Sequence, residues 1–130
     1  MKSFFAVLAF ALCSVLTAQA QITVTITNNS NCDYRVKVNQ VPTTGCVVLG
    51  TGPLIVVAAG TTRTITVASY VGGVAQHVPA FGVNQVGAPC PPVIVGDGCS
   101  PYPLSICNYC TCDPCITYGG TPTAPTLTIN

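Results

Sequence analysis

The sequence predicts an all-β fold: a small antiparallel β-sandwich of about seven or eight short strands, disulfide-rich. Three observations carry this. Apolar and polar residues alternate with a period of two in several separate runs, the mark of half-buried strands. Thr, Val, Ile, Gly and Pro dominate, while Glu is absent and Lys and Arg together number only four, so the residues that normally clothe exposed helix faces are missing. Nine cysteines are crowded into 130 residues.

The first twenty residues are expected to be a leader and not part of the fold. Lys2 supplies a positive start, an apolar run extends from Phe4 to Leu16, and Ala18-Gln19-Ala20 has the small-x-small form of a cleavage site. The apolar run is short for a bilayer span, which takes roughly 20 residues. Lipid attachment at Cys13 is disfavoured by Leu12, which stands where a small residue is required. Residues 1–20 therefore read as a signal peptide and residues 21–130 as a single secreted, disulfide-stapled β-domain, extracellular or held at the cell surface or in the periplasm according to the host. No second long apolar segment follows, so no membrane span is expected.

Cleavage removes Cys13 and leaves Cys32, Cys46, Cys90, Cys99, Cys107, Cys110, Cys112 and Cys115. An even number in a short exported chain reads as paired disulfides, and 105 pairings are open. Charge is nearly absent from residues 21–130: Arg35, Lys37 and Arg63 face Asp33, Asp97 and Asp113. Three cations are too few to meet a phosphate backbone, which excludes a nucleic-acid binder.

Taken in order, Ile22, Val24 and Ile26 share one face of a first strand, and Thr23, Thr25 and Thr27 the other. Asn28, Asn29, Ser30 and Asn31 form a turn cluster, since Asn tolerates positive φ; Asn28-Asn29-Ser30 is also a glycosylation sequon. The second strand places Cys32, Tyr34, Val36 and Val38 opposite Asp33, Arg35, Lys37 and Asn39, a charged and hence solvated face. The two strands are expected to form a hairpin, with placement in opposite sheets as the alternative. Residues 41–52 are broken by Pro, Thr and Gly, with a short strand over residues 46–49. Residues 54–58 form a continuous apolar run of strand length, and Ala59-Gly60 a turn. Residues 61–68 alternate again, Arg63, Ile65 and Val67 opposite Thr62, Thr64 and Thr66. After a break at Gly72-Gly73, residues 74–86 read as one long strand or two short ones, with Pro79 marking an edge or bulge. Residues 93–95, 116–118 and 126–129 supply further short strands.

The order of a strand, Asn28, Cys32, Tyr34 and Val36, then Leu54, Gly60, Ile65 and Val67, resembles the opening of thaumatin-like proteins. The resemblance covers about the first third of residues 21–130. It implies a sandwich and implies that Cys32 bonds a cysteine near the C terminus. The cysteine spacing, the shorter chain and the want of acidic cleft residues depart from that family, so glucan binding and antifungal activity are not carried over. Hydrophobins, also small and cysteine-rich, have adjacent Cys-Cys pairs that this chain lacks.

Candidate chemistry is sparse. Cys107, Cys110, Cys112 and Cys115 have some look of a zinc site, but the two pairs are too close to spread into a tetrahedron, and exported thiols oxidise. A redox C-x-x-C pair needs a helix N-terminus that Pro114 and its neighbours do not provide. His77 with Asp97 and a serine makes a triad only on paper, without the G-x-S-x-G elbow. Three Asp in dissimilar contexts do not make a glycosidase pair. Gly96-Asp97-Gly98 is a turn before it is a calcium site, and Gly72-Gly73 lacks the lysine of a phosphate loop. No enzyme, metal or cofactor is expected.

The positive feature is the threonine rows: Thr23, Thr25 and Thr27; Thr62, Thr64 and Thr66; Thr126 and Thr128. Threonine is the β-branched residue that tolerates water, and this alone accounts for alternation. If rows are neighbours, however, they form a flat uncharged face. The expected function is a secreted non-enzymatic role in structure or surface interaction, as in adhesion or matrix, with self-association through exposed strand edges. The alternative is an extracellular carbohydrate- or ice-binding module using the threonine faces, with polysaccharide as the partner.

Overall fold

The computed structural model describes residues 21–42, 50–68, 77–96, 103–121 and 123–130. The expected leader, Cys46 and the strand expected beside it, the Gly72-Gly73 break, Asp97 and Cys99 lie outside these residues.

Nine strands are described: β1 (Gln21–Asn28), β2 (Tyr34–Pro42), β3 (Gly50–Val57), β4 (Thr61–Ala68), β5 (His77–Gln85), β6 (Val93–Gly96), β7 (Ser105–Ile106), β8 (Ile116–Thr121) and β9 (Ala124–Ile129). The only helical element among the described residues is one 3₁₀ turn, Cys110–Cys112. Two sheets result, one ordered β4-β1-β9-β8-β7 and the other β3-β2-β5-β6. The all-β, disulfide-bridged expectation is met.

The alternation seen in the sequence becomes burial. In β1, Ile22, Val24 and Ile26 are buried, and in β9 Leu127 and Ile129 are fully so. From the other sheet come Tyr34, Val36 and Val38 of β2, Val57 of β3, Phe81 and Val83 of β5, and Val95 of β6. All belong to one hydrophobic cluster, to which both sheets contribute. The Phe81 ring meets the Tyr118 ring of the opposite sheet with centroids 5.9 Å apart and planes tilted by 44°. Each such side chain withdrawn from water contributes about 1.5–3 kcal/mol, which is what the short strands need.

Three features differ from a simple reading of the strands. First, β1 and β2 do not pair; they lie in opposite sheets. The connection is held open by Asn28, whose Oδ1 accepts from the Ser30 amide (3.1 Å) and hydroxyl (2.7 Å). Its Nδ2 donates to the carbonyls of Cys32 (2.7 Å) and Val57 (3.1 Å), so one amide ties the end of β1 to the second sheet. Second, β1 pairs with β9 in parallel, whereas the other described pairings are antiparallel. Third, the apolar run at residues 54–58 is not buried on both faces. β3 is an edge strand extending back to Gly50, and Leu54 and Val56 are exposed at 63% and 51%.

Pro79 sits in β5 between β2 and β6, but β6 pairs only with Ala80 to Val83. At Pro79 the strand therefore borders only β2 among the described strands, an edge position of the kind that tolerates proline. Gly120, the last residue but one of β8, has φ of 82°, and a Cβ there would collide with the Ala124 carbonyl, so the approach to the β8–β9 turn requires glycine.

Three disulfides are described: Cys32–Cys112, Cys90–Cys110 and Cys107–Cys115. The segment carrying four of these cysteines reverses direction repeatedly, with Asn108, Cys110 and Asp113 all at positive φ. That is how closely spaced sulfurs reach partners in different places. Tyr109, buried within the segment, donates its hydroxyl to the Pro91 carbonyl at 2.7 Å and fastens the segment beside β5 and β6. Among the described residues, no helix is long and apolar enough to cross a membrane.

Candidate binding face

The chemical candidates are placed as follows. Cys107, Cys110, Cys112 and Cys115 are each bonded to another cysteine, and neither C-x-x-C unit closes on itself. Each of these sulfurs is thus bonded within a bridge to a cysteine outside its own C-x-x-C unit. The backbone of His77 lies in β5, and Asp97, its partner in the paper triad and the centre of the Gly96-Asp97-Gly98 turn, is outside the described residues. Asp33 uses its carboxylate to accept the Ala59 amide at 2.9 Å, a turn-fixing role. Among the described residues, no group of three or more His, Cys, Asp or Glu side chains could hold a metal.

The threonine rows, in contrast, are brought together. β1 is flanked by β4 and β9, so the three rows noted in the sequence occupy adjacent strands. The register aligns them: Thr27 faces Thr62 and Thr128, Thr25 faces Thr64 and Thr126, and Thr23 faces Thr66. The first rank continues through Thr117 on β8 to Ser105 on β7. Residues directly opposed across strands project from the same face, so Thr62, Thr27, Thr128, Thr117 and Ser105 form one hydroxyl rank over all five strands. Neighbouring strands lie about 4.8 Å apart, which makes that rank roughly 19 Å long. Gly119 stands beside Thr126 in the second rank, and an added Cβ there would lie 3.0 Å from the Thr126 Oγ1.

Burial agrees with this placement. Thr23, Thr62, Thr64 and Thr66 are exposed, while Thr25, Thr27, Thr117, Thr126 and Thr128 are half-buried among their neighbours. Some hydroxyls hold one another: Thr62 donates to Thr27 at 3.3 Å, and Ser105 and Thr117 share a hydrogen at 3.0 Å. At the edge of the ranks Asn29 donates to the Asn130 side chain at 2.8 Å. Arg63, the one cation of β4, alternates onto the opposite side of its strand, opposed to Ile26. The face thus offers methyl groups and hydroxyls on a nearly regular grid, without charge. The ranks themselves contain no His, Cys, Asp, Glu, Lys or Arg side chain.

The sequence pointed to the rows on β1, β4 and β9 but missed Thr117 and Ser105. Three apolar-polar-apolar residues at 116–118 are too few to show alternation, and β7 is two residues long. Only pairing through β9 and β8 adds them to the rank.

The fold and face together define an all-β domain of two disulfide-bridged sheets with one uncharged hydroxyl face. No protein-family model, curated protein or solved structure matches this chain.

Proposed function

We propose that this is an exported, non-enzymatic protein with a role in structure or surface interaction, and that its threonine-lined face lies against an extended neutral surface in the extracellular space. The single observation that carries the reading is the alignment of hydroxyl rows across five adjacent strands without a charged side chain among them. Alternation explains a threonine row on one strand; it does not require the rows to be adjacent and in register. A flat hydroxylated polymer such as an extracellular polysaccharide is the occupant that matches this face best, because both partners pair hydroxyls and exposed C–H groups over a broad area. Ice offers a comparable hydroxyl array and is the competing occupant.

The test is retention on insoluble cellulose and chitin, run beside an ice-growth assay, for the native chain and for Thr25→Lys and Thr64→Lys. Both substitutions put a charge into the second rank. Retention on polysaccharide that falls at least ten-fold in both variants supports the reading, and ice shaping lost in the same variants moves the occupant to ice. Binding to neither material removes the face as a binding site. A second reading, self-association, is favoured by the uncharged edge strand β3 with Leu54 and Val56 exposed. Light scattering that shows a concentration-dependent dimer, abolished by Val56→Lys, supports it.

A further inference from the structure

The four-stranded sheet has its own outward face, and it is chemically unlike the threonine face. β2 projects Arg35 and Lys37 from it, two residues apart and both exposed. Arg35 is opposed to Asn84 on β5, and Lys37 to Gly82. The missing side chain at Gly82 leaves a trough between Lys37 and Ile94, its neighbour on β6. The result is a groove of about 390 Å³, walled by Leu54 on one side and by Pro92 and Ile94 on the other. That volume lies in the range of small-molecule sites, about 300–1,000 Å³.

The polar groups of the groove are not used by the fold. Neither the Arg35 nor the Lys37 side chain has a hydrogen bond or ion pair among the described residues. The nearest acid in sequence, Asp33, is turned to the Ala59 amide. Among the described residues, no carboxylate lines the groove. The Asn84 Oδ1 is screened from water and has no hydrogen-bond partner. A small rotation about its terminal torsion, which is broad for asparagine, turns it to a donor lying in the groove.

We propose that this groove binds a hydroxylated carboxylate of the uronic-acid type, as found in acidic polysaccharides. Two exposed cations side by side favour an anion over a neutral ligand, and the planar guanidinium of Arg35 matches a carboxylate in two parallel hydrogen bonds. An anion alone leaves the Asn84 acceptor unmet, so the ligand carries a hydroxyl donor beside its charge. Apolar walls at Leu54, Pro92 and Ile94 suit the C–H face of a sugar ring. The groove lies on the opposite sheet from the threonine face, and the proposal stands or falls independently of it.

Isothermal titration with di- and trigalacturonate tests this, with the neutral galactose oligomers, acetate and inorganic sulfate at equal ionic strength as comparators. Saturable binding of the galacturonates, at least ten-fold tighter than any comparator, is expected. Arg35→Gln weakens it at least ten-fold. Gly82→Ile fills the trough without touching a charge and weakens it similarly. A Cβ at Gly82 meets only ordinary contacts, 3.4 Å from Asn39 Nδ2 and 3.8 Å from Lys37 Cβ, so the backbone leaves room for a side chain to start there. Unchanged thermal melts establish that both variants fold. Equal response to acetate or sulfate overturns the proposal, as does no galacturonate binding, or binding indifferent to both substitutions.

Discussion

Asn28 shows how far a residue's role can depart from its motif. It heads a glycosylation sequon, yet its side chain is fully buried and makes four hydrogen bonds, two as donor and two as acceptor. A glycan on Nδ2 is incompatible with both donations. Folded protein made in a glycosylating host is therefore expected to carry no glycan at Asn28, read by intact mass. Asn28→Ala leaves the Cys32 and Val57 carbonyls without their donor and should cost roughly 2–4 kcal/mol in urea unfolding. Two buried tyrosines make an opposed pair of predictions. The Tyr34 hydroxyl has no hydrogen-bond partner although Ser30 is beside it, whereas the Tyr109 hydroxyl holds Pro91. Tyr34→Phe is expected to be neutral or stabilising by about 1 kcal/mol, and Tyr109→Phe to destabilise by about 1–2 kcal/mol. Burial is the main cause that raises both hydroxyls above the ordinary tyrosine pKa of 10.0. The backbone at Gln85 partly offsets the rise at Tyr109. A folded value above the unfolded one means that the folded state holds the proton longer. The stabilising contribution is then full below about pH 10 and is lost as the pH rises through the folded values. Urea midpoints should fall from pH 10 upward, beside a tyrosinate absorbance change displaced to high pH; a midpoint constant up to pH 11.5 would contradict this.

At the level of elements, the bridges and the last strand do most to close the fold. The Cys32–Cys112 bridge spans a sequence separation of 80, against 20 for Cys90–Cys110 and 8 for Cys107–Cys115. Taken singly, chain entropy assigns them about 4.5, 3.3 and 2.6 kcal/mol. Replacing each pair by serine should lower the melting temperature in that order. The first bridge also joins the start of β2 to the cysteine-rich segment, where the Gln85 amide reaches Thr111 at 2.8 Å. β9 is the C-terminal strand and the middle one of its sheet, between β1 and β8. A chain ending at Thr121 lacks Leu127 and Ile129 and splits the sheet, so it should lose its cooperative unfolding transition by circular dichroism. The same placement puts Thr126 and Thr128 at the centre of the hydroxyl grid.

For the molecule as a whole, two sheets present two different outward chemistries. One face is neutral and hydroxylated; the other carries Arg35 and Lys37 beside an apolar-walled groove. The shared core is built from short strands, and its two halves are coupled by Asn28, by the Phe81–Tyr118 contact and by the bridges. Reduction without denaturant is expected to loosen or unfold the domain, lowering its melting temperature; full retention of that temperature after reduction would show that the core stands without its bridges. Salt is expected to separate the two proposals: binding in the groove through Arg35 and Lys37 should weaken as ionic strength rises, whereas retention through the uncharged threonine face should not.

Local alternation was legible because a period of two is written into consecutive residues: Ile22, Val24 and Ile26 had to share a face whatever they packed against. The sequence by itself thus determined that the described chain is built of strands, which face of β1, β2 and β4 turns inward, and which residues carry threonine or charge. It did not determine which strands are neighbours. That β1 leaves β2 for β4 and β9, that Cys32 finds Cys112, and that Gly82 opens a groove beside Lys37 were decided only by the tertiary structure. Pairing and bridging join residues tens of positions apart, and their energy exists only once the two sheets have closed on one core.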